Sequence, residues 1–320
     1  STLFNKMRFL TLLLSLPTLL FSFELIPAVF TPYNSDLTID YEKIQAYATF
    51  LSEKQNITTV FISGTNGESL SLSLSERKQL VDAWAKTSQK IIVMVSAESI
   101  VDAISLSSYV SKVSSSNPNI IGIAAMSPSF FKPSSAQDLI DYLLPIASAS
   151  PNLDFRYYHI PSMTGLTISM TSFQTLASSQ IKNFKGIKYT DTDLFTLRKC
   201  VKNANEGVTH YFGKDEILIT GIQTGAKSAV GSTYNFMGPV GYEIVSSFFD
   251  ADLEKAGEKQ DEIVEVVEAW GDLEGIPAQK AIMEMVGMDL GRGVRPPLRS
   301  LTDDEYSELE QSLKEIGFLD

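Results

Sequence analysis

The stretch "NFKGIKYTDTD", residues 183–193, ends a short apolar run on a lysine. Phe184, Gly186 and Ile187 read as a strand with Lys188 at its inner end, followed at once by Thr190, Asp191, Thr192 and Asp193. The ordinary reading puts Lys188 on the solvent side of an edge strand, where most lysines lie. A sharper reading makes it an amine nucleophile, because burial favours the uncharged form that can attack a carbonyl. The choice depends on the sheet to which this strand belongs.

Outward from Lys188, short β-rich apolar runs alternate with longer helical stretches. The strand candidates are Leu25–Phe30, Val60–Ser63, Ile91–Val95, Ile120–Met126, Phe155–His159, Phe184–Lys188, His210–Phe212 and Ala229–Gly231. Between them, Tyr41–Gln55, Ser75–Thr87, Ile100–Val113 and Ala136–Ala149 carry helical periodicity. Parallel strands need helical crossovers, so eight such strands predict an α/β fold, a (β/α)₈ TIM barrel. A doubly wound open sheet is the competing architecture, but no GxGxxG follows the first strand. After Gly238 the pattern turns wholly helical, with Glu243–Ala256, Glu258–Trp270, Ala278–Val286 and Asp303–Ile316. The expected organisation is therefore an extension over 1–23, a barrel over 24–238 and a C-terminal helical extension over 239–320. The Ser-rich run 111–119 reads as a turn before the fourth strand.

Composition narrows the function. At 320 residues, 44% hydrophobic and 20% charged, the chain has material for one barrel plus a tail. A formal net charge of −12 disfavours nucleic acid or an anionic membrane as partner. It leaves room for a small anionic substrate, which responds to the local field of a pocket. Cys200 is the single cysteine, so no internal disulfide forms, and the two histidines, His159 and His210, lack HExxH or CxxC company. No metal is expected. "MRFLTLLLSLPTLLFSF", residues 7–23, has the layout of a secretory signal, although Leu20 and Phe23 make a poor cleavage site. If it acts as one, the chain is secreted or endomembrane; otherwise it is cytoplasmic. The sequon Asn56-Ile57-Thr58 matters only in the first case.

In a barrel of this kind active sites gather at the C-terminal ends of the strands. Lys188 ends the sixth candidate strand, Tyr158 nearly ends the fifth, and "GTNGE", 64–68, follows the second. Singly, each has a structural reading: a surface lysine, a core aromatic, a tight turn built on Gly64 and Gly67. Together they place an amine, a phenol and a turn of donors on one face, the parts needed to form an iminium on a ketone and move a proton as a C–C bond breaks.

Four blocks carry a resemblance: "GTNGESLSLSLSER" (64–77), "YYHIPSMTG" (157–165), "GIKYTDTDL" (186–194) and "AVGSTYNFMG" (229–238). In their order and spacing the chain, from about residue 24 onward, resembles the N-acetylneuraminate lyase subgroup of the dihydrodipicolinate synthase superfamily. The resemblance implies a cofactor-free class I aldolase that cleaves N-acetylneuraminate to pyruvate and N-acetylmannosamine as a homotetramer. It implies Lys188 as the Schiff-base residue, Tyr158 as the proton-transfer residue, and Thr65 with Asn66 as the carboxylate site. It also implies Thr190, Gly213, Asp215, Glu216, Gly231 and Ser232 as ligands of the sugar acid's polar body.

The chain departs from the family pattern at three positions. Met163 stands where the synthase branch has an arginine that grips a second carboxylate, and a thioether cannot make that charge-assisted contact. Asn66 replaces a hydroxyl residue, and Lys214 stands where relatives often carry an aromatic. These leave two alternatives: an aldolase for another 2-oxo sugar acid, or a sialic-acid-binding protein on the same scaffold without turnover.

Overall fold

Each apolar run forms a strand in the computed structural model, which describes residues 23–320. These are β1 (Glu24–Pro27), β2 (Thr59–Ile62), β3 (Lys90–Met94), β4 (Ile120–Met126), β5 (Asp154–His159), β6 (Phe184–Tyr189), β7 (Thr209–Phe212) and β8 (Ser228–Gly231). Their order is β1-β8-β7-β6-β5-β4-β3-β2, every pairing is parallel, and a bridge from Ala28 to Phe61 brings β1 against β2. The sheet is thus a TIM barrel and not an open doubly wound sheet. Strands covered on both faces explain why the runs read as continuously apolar instead of alternating. The apolar run 7–22 lies outside the described residues, and no described helix is long and apolar enough to cross a membrane.

The helices form an outer layer: α1 (Lys43–Lys54), α2 (Leu74–Trp84), α3 (Ile100–Ser114), α4 (Ala136–Ser148), α5 (Pro161–Thr164), α6 (Met170–Gln180), α7 (Leu194–Lys202), α8 (Leu218–Thr224) and α9 (Gly238–Phe249). The tail adds α10 (Leu253–Ala269), α11 (Gly275–Met285) and α12 (Asp303–Glu315). Hydroxyl and carboxylate caps set many helix starts: Ser73 with Glu76 and Thr302 with Glu305 make reciprocal capping boxes. Two apolar regions result. Leu25, Val60, Val93, Ile123, Phe155 and Ile187 pack outward against the helices, while Ile26, Phe61, Ile92, Met94, Met126 and Tyr158 fill the barrel.

Two sequence expectations need correction. The Ser-rich run 111–119 is not all turn, because α3 runs to Ser114. Buried Val110 continues the apolar stripe of Ala103 and Leu106, and the hydroxyls of Ser114 and Ser115 both bond back to the Ser111 carbonyl. The tail helices also break at 250–252 and not at Gly257. Ala251 takes φ +62° and Asp252 caps α10 by accepting from the Lys255 N–H, whereas Gly257 lies inside the helix.

Candidate functional site

The C-terminal ends of β2, β5, β6, β7 and β8 open on a cavity of about 310 Å³. Lys188 and Tyr158 are register partners on adjacent strands, so both side chains point into the barrel at one level. Lys188 is only 4% exposed; its Nζ lies 4.1 Å from the centre of the Tyr158 ring and 4.5 Å from that of Phe61. Phe61 and Tyr158 meet edge to face at 5.9 Å, which fixes the phenol's tilt. The Tyr158 hydroxyl shares a 3.2 Å hydrogen bond with Thr65 Oγ1 from the turn after β2. An amine, a phenol and a hydroxyl are therefore linked at the floor of the cavity.

The opposite wall is built from β7, β8 and the tail. Asp215 is buried, and its Oδ2 accepts from both the N–H and the hydroxyl of Thr233, each at 2.8 Å. Burial pushes its carboxyl above the usual range, and the Thr233 bonds oppose that shift. Oδ1 accepts no hydrogen bond. Gly231 makes this approach possible, since a Cβ at that position would overlap the Asp215 carboxylate. Gly213 is constrained in the same way by the Thr190 side chain. Next to Asp215, Glu216 receives Lys214 Nζ at 3.2 Å at the rim.

Every candidate residue read from the sequence lines this one cavity: Lys188, Tyr158, Thr65, Asn66, Thr190, Gly213, Asp215, Glu216, Gly231 and Ser232. Asn66 Nδ2 and Thr190 Oγ1 are buried there without a partner in the protein, as Asp215 Oδ1 is. Buried groups of this sort are costly unless something bonds to them, so the cavity is shaped for a polar guest. Met163 also lines it and brings no charge. Among the described residues no cluster of three or more His, Cys, Asp or Glu side chains has a metal-holding arrangement.

Sequence reasoning missed several contributors. Thr233 holds Asp215, and Gln260 of α10 donates to the Asp215 carbonyl at 3.0 Å while accepting from Ile219 N–H. Val267 and Trp270, at the end of α10, form an apolar wall. Thr233 lies in the quoted block 229–238 and was within reach of the sequence; the three tail residues carry no local signal. Behind the cavity, His159 Nε2 lies 3.5 Å from Asp191 Oδ2, tying the ends of β5 and β6 together, and burial pushes this imidazole down to about 4.

Residues 22–316 match the model of the dihydrodipicolinate synthetase family. The chain is 34% identical over 301 residues to N-acetylneuraminate lyase A of Xenopus laevis, covering 92% of this chain and 97% of that protein. It is 33% identical over 304 residues to the Homo sapiens N-acetylneuraminate lyase, with 92% of each chain covered. Among solved structures, Proteus mirabilis N-acetylneuraminate lyase superposes with a TM-score of 0.87 at 30% identity, covering 92% of this chain and 99% of the other.

Proposed function

The chain belongs to the dihydrodipicolinate synthetase family, and from that premise we propose that it is a class I aldolase cleaving N-acetylneuraminate to pyruvate and N-acetylmannosamine. The observation that carries the reading is the buried Lys188 amine, 4.1 Å over the Tyr158 ring, in a cavity whose walls hold unpartnered polar atoms. Lys188 Nζ adds to the C2 carbonyl of the open-chain sugar acid, and loss of water leaves an iminium. The C3–C4 bond then breaks and its electron pair enters the iminium, giving an enamine. The C4 hydroxyl proton passes to the Tyr158 oxygen, while Tyr158 releases its own along the 3.2 Å bond to Thr65 and on to the pyruvyl carboxylate. C4 departs as the aldehyde of N-acetylmannosamine. Reversal of the relay protonates C3, and water releases pyruvate and free Lys188.

In this scheme Thr65 and Asn66 hold the pyruvyl carboxylate through donors of the 64–68 turn. Thr190, Gly213, Asp215, Glu216, Gly231 and Ser232 meet the hydroxyl-bearing body. Asp215 and Glu216 are acceptors for sugar hydroxyls, so analogues lacking those groups leave a buried carboxylate oxygen unpaired and are rejected. Purified protein incubated with N-acetylneuraminate should release pyruvate, measured with a coupled lactate dehydrogenase assay. Binding without pyruvate release would replace the aldolase reading with that of a sugar-acid-binding protein. The homotetramer implied by the resemblance belongs to the same proposal: Phe130 and Phe131, in the loop after β4, are 78% and 84% exposed, and adjacent bare aromatics suit a subunit interface. Light scattering on the eluting protein tests it, and a monomer mass would overturn it.

A further inference from the structure

The turn after β2 is held in a conformation that its own residues disfavour. Ser63 and Glu68 bracket it with φ of +54° and +55°, in the left-handed region that residues other than glycine rarely adopt. Such conformations persist where the surroundings over-determine them. The turn closes on itself through Glu68 N–H to the Thr65 carbonyl at 2.9 Å and Ser69 N–H to the Gly64 carbonyl at 3.3 Å, while Ser63 Oγ and Asn66 Nδ2 are buried without a partner in the protein.

The grip comes from elsewhere in the chain. The Gly67 carbonyl accepts from the Thr31 hydroxyl at 2.7 Å, Glu68 Oε2 accepts from the Arg295 backbone N–H at 2.8 Å, and the Ser71 carbonyl accepts from the Arg295 guanidinium at 3.0 Å. Both gripping segments lead to one side chain on α11. Lys280 Nζ donates to the Thr31 carbonyl at 3.1 Å and to the Gly293 carbonyl at 2.6 Å, and lies 4.4 Å from the centre of the Tyr33 ring. Lys280 is 1% exposed. A buried ammonium is costly to desolvate, and a packing role at this place would be filled at lower cost by a methionine of similar length.

We propose that Lys280 is a positioning residue for the reaction: by joining the Thr31 and Gly293–Arg295 segments it clamps the strained turn that presents Thr65 and Asn66, and so sets affinity for the pyruvyl carboxylate. The clamp ties α11 of the C-terminal extension to the site without placing Lys280 in the cavity. The proposal rests on the reading of that turn as the carboxylate site.

The test compares full-length enzyme with Lys280→Met and Lys280→Arg, using pyruvate and N-acetylneuraminate as probes. Five quantities are read: the pyruvate inhibition constant, KM and kcat for N-acetylneuraminate, Tm, and amide exchange of the 63–71 peptide. Lys280→Met is expected to raise both KM and the pyruvate inhibition constant about tenfold, the effect of losing one charged hydrogen-bonding anchor. Exchange over 63–71 should quicken while β3 to β5 stay protected, and Lys280→Arg should regain much of the lost affinity. A lower Tm with wild-type KM, inhibition constant and exchange would reduce Lys280 to a stability role and overturn the proposal. Should Lys280→Met not fold, Thr31→Val removes only the Thr31–Gly67 bond and should raise the inhibition constant roughly threefold; parity with wild type there also overturns it. Wild-type enzyme that releases no pyruvate would defeat the functional reading, whereas the exchange measurement needs no substrate and still decides the clamp.

Discussion

Replacing Gly231 with alanine adds one methyl group at the point where β8 and Asp215 meet. That carbon would overlap Oδ1, Cγ and Oδ2 of the Asp215 carboxylate, so one of the two must move. The strand has little freedom: Gly231 is in register with Pro27, and its carbonyl accepts from Ala28 N–H at 2.8 Å. The Asp215 backbone is equally fixed, since Gln260 donates to its carbonyl. The carboxylate side chain must therefore swing away and give up both 2.8 Å bonds from Thr233. Hydrogen bonds to charged groups contribute about 1.5–3 kcal/mol each; with water replacing part of that, the loss is about 3 kcal/mol, or two powers of ten. Steady-state assays of Gly231→Ala should show kcat/KM for N-acetylneuraminate down about 100-fold. The pyruvate inhibition constant should move only a few fold, because pyruvate lacks the hydroxyls that Asp215 would read. Asp215→Ala should lose a similar amount and the double variant no more, since both act on one group. Equal losses for both ligands, or a Gly231→Ala enzyme within a few fold of wild type, would refute the assignment of Asp215 to the sugar chain.

Tyr158→Phe keeps the ring beside Phe61 and deletes the proton carrier, so kcat should fall by roughly 10²–10⁴ with little change in Tm; turnover within a few fold of wild type would make Tyr158 a packing residue. Asn66→Thr restores a hydroxyl that can accept and release a proton, and kcat/KM for N-acetylneuraminate should rise, mostly through kcat; a clear fall would favour another 2-oxo sugar acid as substrate. Burial holds His159 and His210 down to about 4, below the roughly 6.5 of an exposed imidazole. As pH falls the unfolded chain takes up these protons first, so this stability is complete above about pH 6.5 and is lost as pH drops towards 4, by at most about 3 kcal/mol per histidine. Urea midpoints at pH 7, 5.5 and 4.5 should decline, and His210→Asn, which keeps a polar group near Gln174, should flatten the slope; midpoints independent of pH would contradict burial of the two imidazoles in neutral form.

The barrel was legible because its strands are covered on both faces, which makes several of them nearly unbroken apolar runs, Ile120–Met126 above all. Lys188 and Tyr158 stood out for a related reason, as polar groups at the ends of such runs. What sequence reading lacked is long-range. Gln260, Val267 and Trp270 reach the cavity from α10, while from still further along the chain Arg295 reaches the 64–68 turn directly and Lys280 reaches the Thr31 segment that grips it. Neither periodicity nor local motif marks them, because their partners are some 45 to 249 positions away. Ser111–Ser114 misled for a local reason: serine favours turns through hydrogen bonds to nearby backbone, and in α3 those bonds run back along the helix instead. Gly257 misled likewise, since a glycine inside a helix costs only about 1 kcal/mol and α10 absorbs it.

The central claim is covalent attachment at Lys188. Borohydride added to the protein with pyruvate reduces an iminium to a stable secondary amine, and peptide mass spectrometry locates it. The account predicts one reduced pyruvyl adduct per chain, on Lys188, and none on Lys188→Ala protein that remains folded by circular dichroism. An adduct on Lys182 or Lys185 instead, or no adduct at all, would contradict it.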